Sequence, residues 1–224
     1  SWNRHILESY FKDKRMMLKV FINGKSGKMG QSISKLIQKD KSYTLNDTNL
    51  FTSDVVIDFS HPNSTSEILK KCKQNNIPLL IGTTGLDKKL VNEIKTSSKK
   101  VPILLAANMS IGINQLKESL EEFINSSDEK FDCLIEETHH SQKIDKPSGT
   151  AIELSELLKS KDKKQNILSL KIISYRKDNV FGVHKVTFKS KSSSFQFQHE
   201  ALSRDVFADG ALFCAKKLLS LIHI

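Results

Sequence analysis

The hydrophobic rhythm of the chain changes near its middle. In the first half, residues 18–23, 55–59, 78–82 and 102–106 are apolar runs of strand length. Between them, 64–75 and 87–97 carry apolar residues at helical spacing, and after the first run Ile33, Leu36 and Ile37 share one helical face. A weak extra strand is expected near 43–46. Continuous apolar strands separated by helices predict a parallel sheet covered on both faces. In the second half, a long helix is expected over 111–125, with Leu116, Leu120, Phe123 and Ile124 at helical spacing. Strands are expected over 131–138, 168–175, 184–189 and 194–202. One helix interrupts them, over 150–159, carrying Ile152, Leu154, Leu157 and Leu158, and a last helix spans 206–219. Fewer helices per strand predict an α+β domain whose sheet stays open on one face.

Composition narrows the classes. With 224 residues, 38% of them hydrophobic, the chain can build one large or two small cores. No apolar run reaches the roughly 18 residues of a membrane span, and the polar, charged N-terminus lacks the apolar centre of a signal peptide. Met16-Met17 directly precedes the first strand-like run, so the native start is expected at one of them, and residues 1–16 are set apart as an extension. Cys72, Cys133 and Cys214 are isolated and outside any metal-ligand spacing, as expected of small apolar side chains in a reducing cytoplasm. The net charge of +10 comes almost wholly from scattered lysines, since only Arg4, Arg15, Arg176 and Arg204 are arginines. Aromatic interleaving is missing, so no nucleic-acid partner is expected; a basic field can still attract an anionic substrate.

Three segments follow strands of the first half. Gly24-Lys25-Ser26-Gly27-Lys28-Met29-Gly30 joins the first strand to the first helix. Glycines there let the backbone approach a pyrophosphate seated on the helix N-terminus. The spacing is Gly-x-x-Gly-x-x-Gly, with Ser26 where Gly-x-Gly-x-x-Gly has its second glycine. An ordinary tight turn would read the same, and the position after the first strand is what points to a dinucleotide. Gly82-Thr83-Thr84-Gly85 and Ala106-Ala107-Asn108-Met109-Ser110 read alone as plain turns. Ligands of parallel sheets bind beyond the carboxyl ends of the strands, so all three segments are expected on one edge.

Residues 136–151 are the densest in chemistry. Ser148-Gly149-Thr150 opens a helix, whose unpaired amides and hydroxyl can hold a carboxylate. His139, titrating near neutrality, and Lys143 can hold anionic charge and supply a proton, and both are expected on a loop. Adjacent histidines point opposite ways on a strand and no third ligand is evident, so His139-His140 is not expected to bind a metal. A polar loop leading into a capped helix is the remaining alternative.

The stretch Glu137-Thr138-His139-His140-x-x-Lys143-x-Asp145-x-Pro147-Ser148-Gly149-Thr150-Ala151 resembles the dihydrodipicolinate reductase family. Gly82-Thr83-Thr84-Gly85, Asn108-x-Ser110-x-Gly112-x-Asn114 and Ser203-Arg204-x-x-Phe207-Ala208-x-Gly210-Ala211 resemble it too, in the same order. The resemblance implies an α/β protein: a Rossmann-like parallel-sheet cofactor domain over 17–109 and 203–224, and an α+β substrate-binding and oligomerisation domain with an open mixed sheet over 110–202. It implies that Gly24, Lys25, Ser26, Gly27, Lys28 and Met29 meet the cofactor phosphates, and that Gly82, Thr83, Thr84, Ala106, Ala107, Asn108 and Met109 line the rest of that site. By the same resemblance His139 is the catalytic acid/base and Lys143 the proton donor, while His140, Gly149 and Thr150, with Ser148 beside them, hold the substrate. The implied reaction reduces 4-hydroxy-tetrahydrodipicolinate, with loss of water, to tetrahydrodipicolinate for diaminopimelate and lysine biosynthesis. The implied cofactor is NADH or NADPH and the implied assembly a cytoplasmic homotetramer. A small cyclic dicarboxylate is thus the expected partner, and neither nucleic acid nor membrane is.

The chain departs from the family pattern in places. Lys28 stands where Arg is common, and lysine cannot reproduce a guanidinium fork. Met109 stands where Phe or Tyr is usual. The segment after the first helix is short, which leaves Asn46 and Asp47 as candidates to read the cofactor ribose. The family continues beyond Leu221-Ile222-His223-Ile224, so this end is expected to be truncated or foreign. Two alternatives stay open: another nicotinamide enzyme on a related frame, such as homoserine or aspartate dehydrogenase, which lacks the His-His-x-x-Lys and Ser-Gly-Thr stretch, and a non-catalytic, nucleotide-sensing or basic nucleic-acid-binding module.

Overall fold

The computed structural model describes residues 17–220; the expected extension 1–16 and the end 221–224 lie outside the described residues. The chain divides into two compact units. One ends at Ala106 and resumes at Ala211, and the other is Ala107–Gly210. The crossings differ from the expected boundaries because Asn108 donates a hydrogen bond to Thr150, and the Met109 carbonyl lies against Gly210. Both contacts tie these residues to the second unit.

The first unit runs β1 (Leu18–Asn23), α1 (Lys28–Lys39), β2 (Tyr43–Leu45), a 3-10 turn (Leu50–Thr52), β3 (Val55–Asp58), α2 (Pro62–Asn75), β4 (Leu79–Ile81), α3 (Lys88–Ser97) and β5 (Ile103–Leu105). Its five strands are all parallel, in the order β2-β1-β3-β4-β5. Val55, Val56 and Ile57 of β3 and Leu79, Leu80 and Ile81 of β4 are fully buried, which is why these segments read as unbroken apolar runs. Helices supply the cover through Ile33 and Ile37, Ile68 and Leu69, and Leu90 and Ile94. Because every strand runs the same way, the loops after β1, β3 and β4 leave from one edge.

The second unit contains α4 (Ile111–Ser126), β6 (Phe131–His139), α5 (Gly149–Lys161), β7 (Ile167–Arg176), β8 (Gly182–Lys189) and β9 (Ser194–Ala201). The chain boundary at Gly210 falls within α6 (Asp205–Ser220). The sheet order is β7-β6-β8-β9, with β6 and β7 parallel and the other pairs antiparallel. Odd positions of β6 point inward, so Phe131, Cys133, Ile135, Glu137 and His139 are all buried. The apolar ones pack with Ile113, Leu116, Leu120 and Ile124 of α4 and Leu154 and Leu158 of α5. Phe123 stands amid Phe131, Phe188, Phe195 and Phe197, with ring centroids 4.9–5.5 Å away. Ile173 and Tyr175 of β7 stay exposed. The helices and strands expected from the sequence are found, with ends moved by a residue or two.

Candidate active site

The loop after β1 is folded under the start of α1. Gly24 has φ +83°, and a Cβ there would lie 2.4 Å from the Phe59 carbonyl oxygen. A Cβ on Gly30 would lie 2.4 Å from the Gly24 carbonyl oxygen. The Gly27 amide closes the turn onto that same oxygen at 3.0 Å. The first turn of α1 has neither a side-chain cap nor an acidic residue, which suits an anion at this helix end. Lys25, Ser26, Gly27 and Lys28 are exposed and Met29 is half-buried. A cradle that side chains would fill, facing an uncapped helix start, fits the phosphates of a dinucleotide.

Behind this loop lies a polar centre that sequence reasoning missed. Asp58, fully buried at the end of β3, accepts hydrogen bonds from Asn23 (2.8 Å), Thr65 (2.5 Å), Thr83 (3.0 Å) and Ser60 (2.5 Å). One carboxylate thus ties together the ends of β1, β3 and β4. An acidic residue closing an apolar buried run was the available signal. Thr83 also accepts the Ser60 amide at 3.0 Å, so its hydroxyl braces the scaffold; Gly82 is buried and Thr84 exposed. The Asn46 side chain is engaged by Asn49, Thr52 and Ser53 at 2.7–2.9 Å. Asp47 is exposed and forms an ion pair with Lys25 of the glycine loop.

In the second unit, β6 runs through His139 instead of ending before it. The Lys177 amide donates to the His139 carbonyl at 2.8 Å, extending the ladder with β7. His139 therefore stands on the strand, buried, and Lys143 alone of the two lies on the following loop. Burial lowers the His139 pKa below the ordinary value; hydrogen bonding and charge from Glu137 oppose this, and Lys143 and Arg176 add to it. The net direction favours the neutral imidazole over the imidazolium. Its Nδ1–H donates to Glu137, which is fully buried. Burial would raise the Glu137 pKa, but hydrogen bonds from Ser174, His139 and Arg176 outweigh it and hold the group ionised.

The loop beyond delivers its groups to the start of α5. Lys143 pairs with Asp145 at 2.7 Å. Burial works to raise the Asp145 pKa, yet Lys143 and the amides of Asp145 and Gly149 hold it below the usual range. Ser148 is only 1% exposed; its hydroxyl caps α5 by accepting the Ala151 amide at 3.2 Å, and its own amide donates to Glu137 at 3.3 Å. Both polar groups have partners inside the protein, so Ser148 shapes the start of α5. Gly149 and Thr150 begin the helix, with no acidic residue in its first turn. Asn108 donates to the Thr150 hydroxyl at 3.0 Å. Ala106 and His140 are half-buried, Ala107 is exposed, and Met109 is only 3% exposed. Among the described residues, no group of three or more His, Cys, Asp or Glu could hold a metal ion.

Comparison with known proteins places this geometry. Residues 44–109 match dihydrodipicolinate reductase, N-terminus, and residues 112–222 match dihydrodipicolinate reductase, C-terminus. The 4-hydroxy-tetrahydrodipicolinate reductase of Bdellovibrio bacteriovorus is 39% identical over 213 residues, covering 90% of each chain. That of Clostridium novyi is 35% identical over 231 residues, covering 88% of this chain and 90% of the relative. A dipicolinate-bound dihydrodipicolinate reductase from Paenisporosarcina sp. TG-14 shares the fold, with TM-score 0.73 at 21% identity over 92% of this chain and 96% of that one. Aspartate dehydrogenase from Thermotoga maritima also shares it, with TM-score 0.52 at 14% identity over 90% of this chain and 96% of that one. The second likeness concerns architecture alone and lends the dehydrogenase alternative nothing further. Since both halves match in order and full-length relatives share over a third of its residues, this chain belongs to the dihydrodipicolinate reductase family.

Proposed function

We propose that the chain reduces 4-hydroxy-tetrahydrodipicolinate to tetrahydrodipicolinate, using NADH or NADPH, on the diaminopimelate and lysine route. The observation that carries this reading is the gathering of His139, Lys143 and the amides of Gly149 and Thr150 within one unit of a chain of this family. In the overall reaction one hydride and one proton enter the substrate and one water leaves. The nicotinamide, when bound, supplies the hydride. Gly24, Lys25, Ser26, Gly27, Lys28 and Met29 would hold the cofactor phosphates, and Gly82, Thr83, Thr84 and Ala106–Met109 would line the rest. The helix start at Gly149 and Thr150 holds one substrate carboxylate, while Lys143 holds anionic charge and donates the proton. His139, neutral, orients or relays that proton through Nε2, and His140 stands beside it. Asp145 presents its carboxylate to Lys143 and to the Gly149 amide, which supports a carboxylate ligand at these groups. A coupled assay with the upstream synthase, following NADH and NADPH loss, tests the reading; no turnover with either would sink it.

Both cofactors are expected to serve. Lys25 and Asp47 lie against each other beside the glycine loop. The acid can accept from a ribose hydroxyl, and the lysine can attract a 2′-phosphate, though without the fork of an arginine. A KM ratio beyond about a hundredfold in either direction would refute this, since it corresponds to roughly 2.7 kcal/mol of discrimination.

Thr150→Val is expected to raise the substrate KM about 10- to 100-fold with little change in cofactor KM. A hydrogen bond to a charged group contributes about 1.5–3 kcal/mol. Valine keeps the shape of the buried side chain, so α5 should persist by circular dichroism. Equal losses for both ligands would show that Thr150 does not bind substrate.

The assembly is a homotetramer built on the outer face of the second sheet, where Ile173 and Tyr175 are exposed. Its cytoplasmic location accords with three free cysteines, of which Cys72 and Cys133 have thiols pushed by burial up to about 12. No described helix is long and apolar enough to cross a membrane.

A further inference from the structure

We propose that Glu137 and Arg176 form a buried positioning pair that sets the tautomer of His139 and anchors the loop bearing Lys143. The proposal rests on the reading of His139 and Lys143 as the proton-handling residues.

A fully buried carboxylate is costly unless its acceptor sites are filled. Those of Glu137 are filled by Ser174 of β7 and by parts of the proposed substrate site. One oxygen takes Nδ1–H of His139, which shares its face of β6. The other takes the Ser148 amide at 3.3 Å, the residue just before Gly149 and Thr150. Arg176 stands opposite His139 in the parallel register of β6 and β7. Its Nη1 reaches both carboxylate oxygens, at 3.0 and 3.2 Å. Its remaining donors reach the loop: Nε donates to the Lys143 carbonyl at 3.1 Å and Nη2 to the Asp145 carbonyl at 2.5 Å. One ion pair thus holds the imidazole, the backbone of the proton donor and the entry to the carboxylate-binding helix.

The chemistry follows from what each group can do. A carboxylate only accepts, so neutral His139 must carry its proton on Nδ1 and keep Nε2 as its basic nitrogen. A Cβ on Gly182 would lie 3.1 Å from that Nε2, so the glycine leaves this nitrogen room. The charged groups that bear on His139 are Glu137 on its own strand, Arg176 on β7, Lys143 on the loop, and, when protonated, His184 on β8. Of these only Glu137 favours the imidazolium. Glutamine at 137 could turn its amide toward Nδ1 and permit the other tautomer. Lysine at 176 lacks the planar fork needed to serve the carboxylate and two carbonyls together.

The test combines ¹⁵N histidine NMR on the full-length wild type with kinetics of Glu137→Gln, Arg176→Lys and His139→Ala. The wild-type His139 signal, identified by its loss in His139→Ala, should report a neutral ring protonated on Nδ1. Glu137→Gln should lower kcat about 10- to 100-fold with cofactor KM unchanged, and should move the His139 titration and the matching pH–rate limb to lower pH. Arg176→Lys should lower kcat and raise substrate KM together. A wild-type ring protonated on Nε2 would overturn the proposal. So would a folded Glu137→Gln enzyme with unchanged kcat and unchanged His139 titration, because a merely structural ion pair changes stability and not those readouts. If Glu137→Gln does not fold, the wild-type tautomer and the Arg176→Lys kinetics decide. Near-normal kcat in His139→Ala would instead sink the reading of His139 itself, which separates the two failures.

Discussion

Lys143→Met and His139→Ala are each expected to lower kcat by about 10²- to 10⁴-fold, with NADH and NADPH affinity nearly unchanged. Loss of water from the substrate gives a conjugated imine, and hydride addition to a ring carbon leaves electron density that must take up a proton. Removing a positioned acid costs a factor of this size. Lys143 carries an ammonium on the loop before α5, already set against a carboxylate, that of Asp145. Its loss should therefore also weaken substrate binding, so substrate KM should rise in Lys143→Met. His139 is buried, its pKa lowered by that burial, with Nδ1 against Glu137. Its loss should fall on kcat more than on KM. If, as proposed, both residues act on one proton, the double variant should lose less than the product of the single losses. Steady-state kinetics with either cofactor, on variants shown folded by circular dichroism, decide the matter. Near-normal kcat in one single variant would remove that residue from the mechanism, and a fully multiplicative double variant would separate the two roles.

How much of this was legible in the sequence depended on whether a feature is local. The first sheet was plain because β3 and β4, covered on both faces, spell uninterrupted apolar runs. The proposed substrate loop was plain because its groups fall within one short stretch. Arg176 was not, since it acts on Glu137 from 39 residues away, and only the pairing of β6 with β7 brings them together. Glu137 was visible as a letter but not as a buried group. Its parity with Phe131, Cys133 and Ile135 would have flagged it, because alternate residues of a strand share a face. The same parity would have put His139 on the strand. For Ser148 the sequence leaves the role open, because hydroxyls at helix starts can serve either the helix or a guest, and letters alone do not say which. Asp58 gathers partners from the end of β1, from α2 and from the loop after β4, which no local pattern records.

Acid is expected to unfold this protein early, and His184 is expected to account for about 2 kcal/mol of the loss between pH 7 and pH 5. His184 is 2% exposed on β8, its ring edge-on to His139 at 5.0 Å. Its Nε2 lies 3.4 Å from the Ser148 hydroxyl, and its buried Nδ1 has no hydrogen-bond partner among the described residues. Burial first, then charge on His139, pushes its pKa down to about 3. In the unfolded chain the same imidazole titrates near about 6.5. The unfolded state therefore binds more protons between these values, and stability must fall as pH falls. The contribution is fully present above about pH 6.5, declines by about 1.4 kcal/mol per pH unit below it, and levels off near the folded pKa. At pH 5 the size of the loss hardly depends on where the folded pKa lies, provided it stays below about 4. His139, also lowered by burial, acts in the same direction, and Glu137, held low by its donors, adds a loss of the same sign at more acidic pH. His184→Phe keeps a ring of similar size and removes the titration, and the unpartnered Nδ1 makes the apolar replacement tolerable. Urea unfolding at fixed protein concentration, at pH 7 and pH 5, should show a drop about 2 kcal/mol smaller in this variant than in the wild type. Equal drops in both proteins would mean that His184 is protonated in the folded state or reached by water, and would refute its burial as a neutral ring.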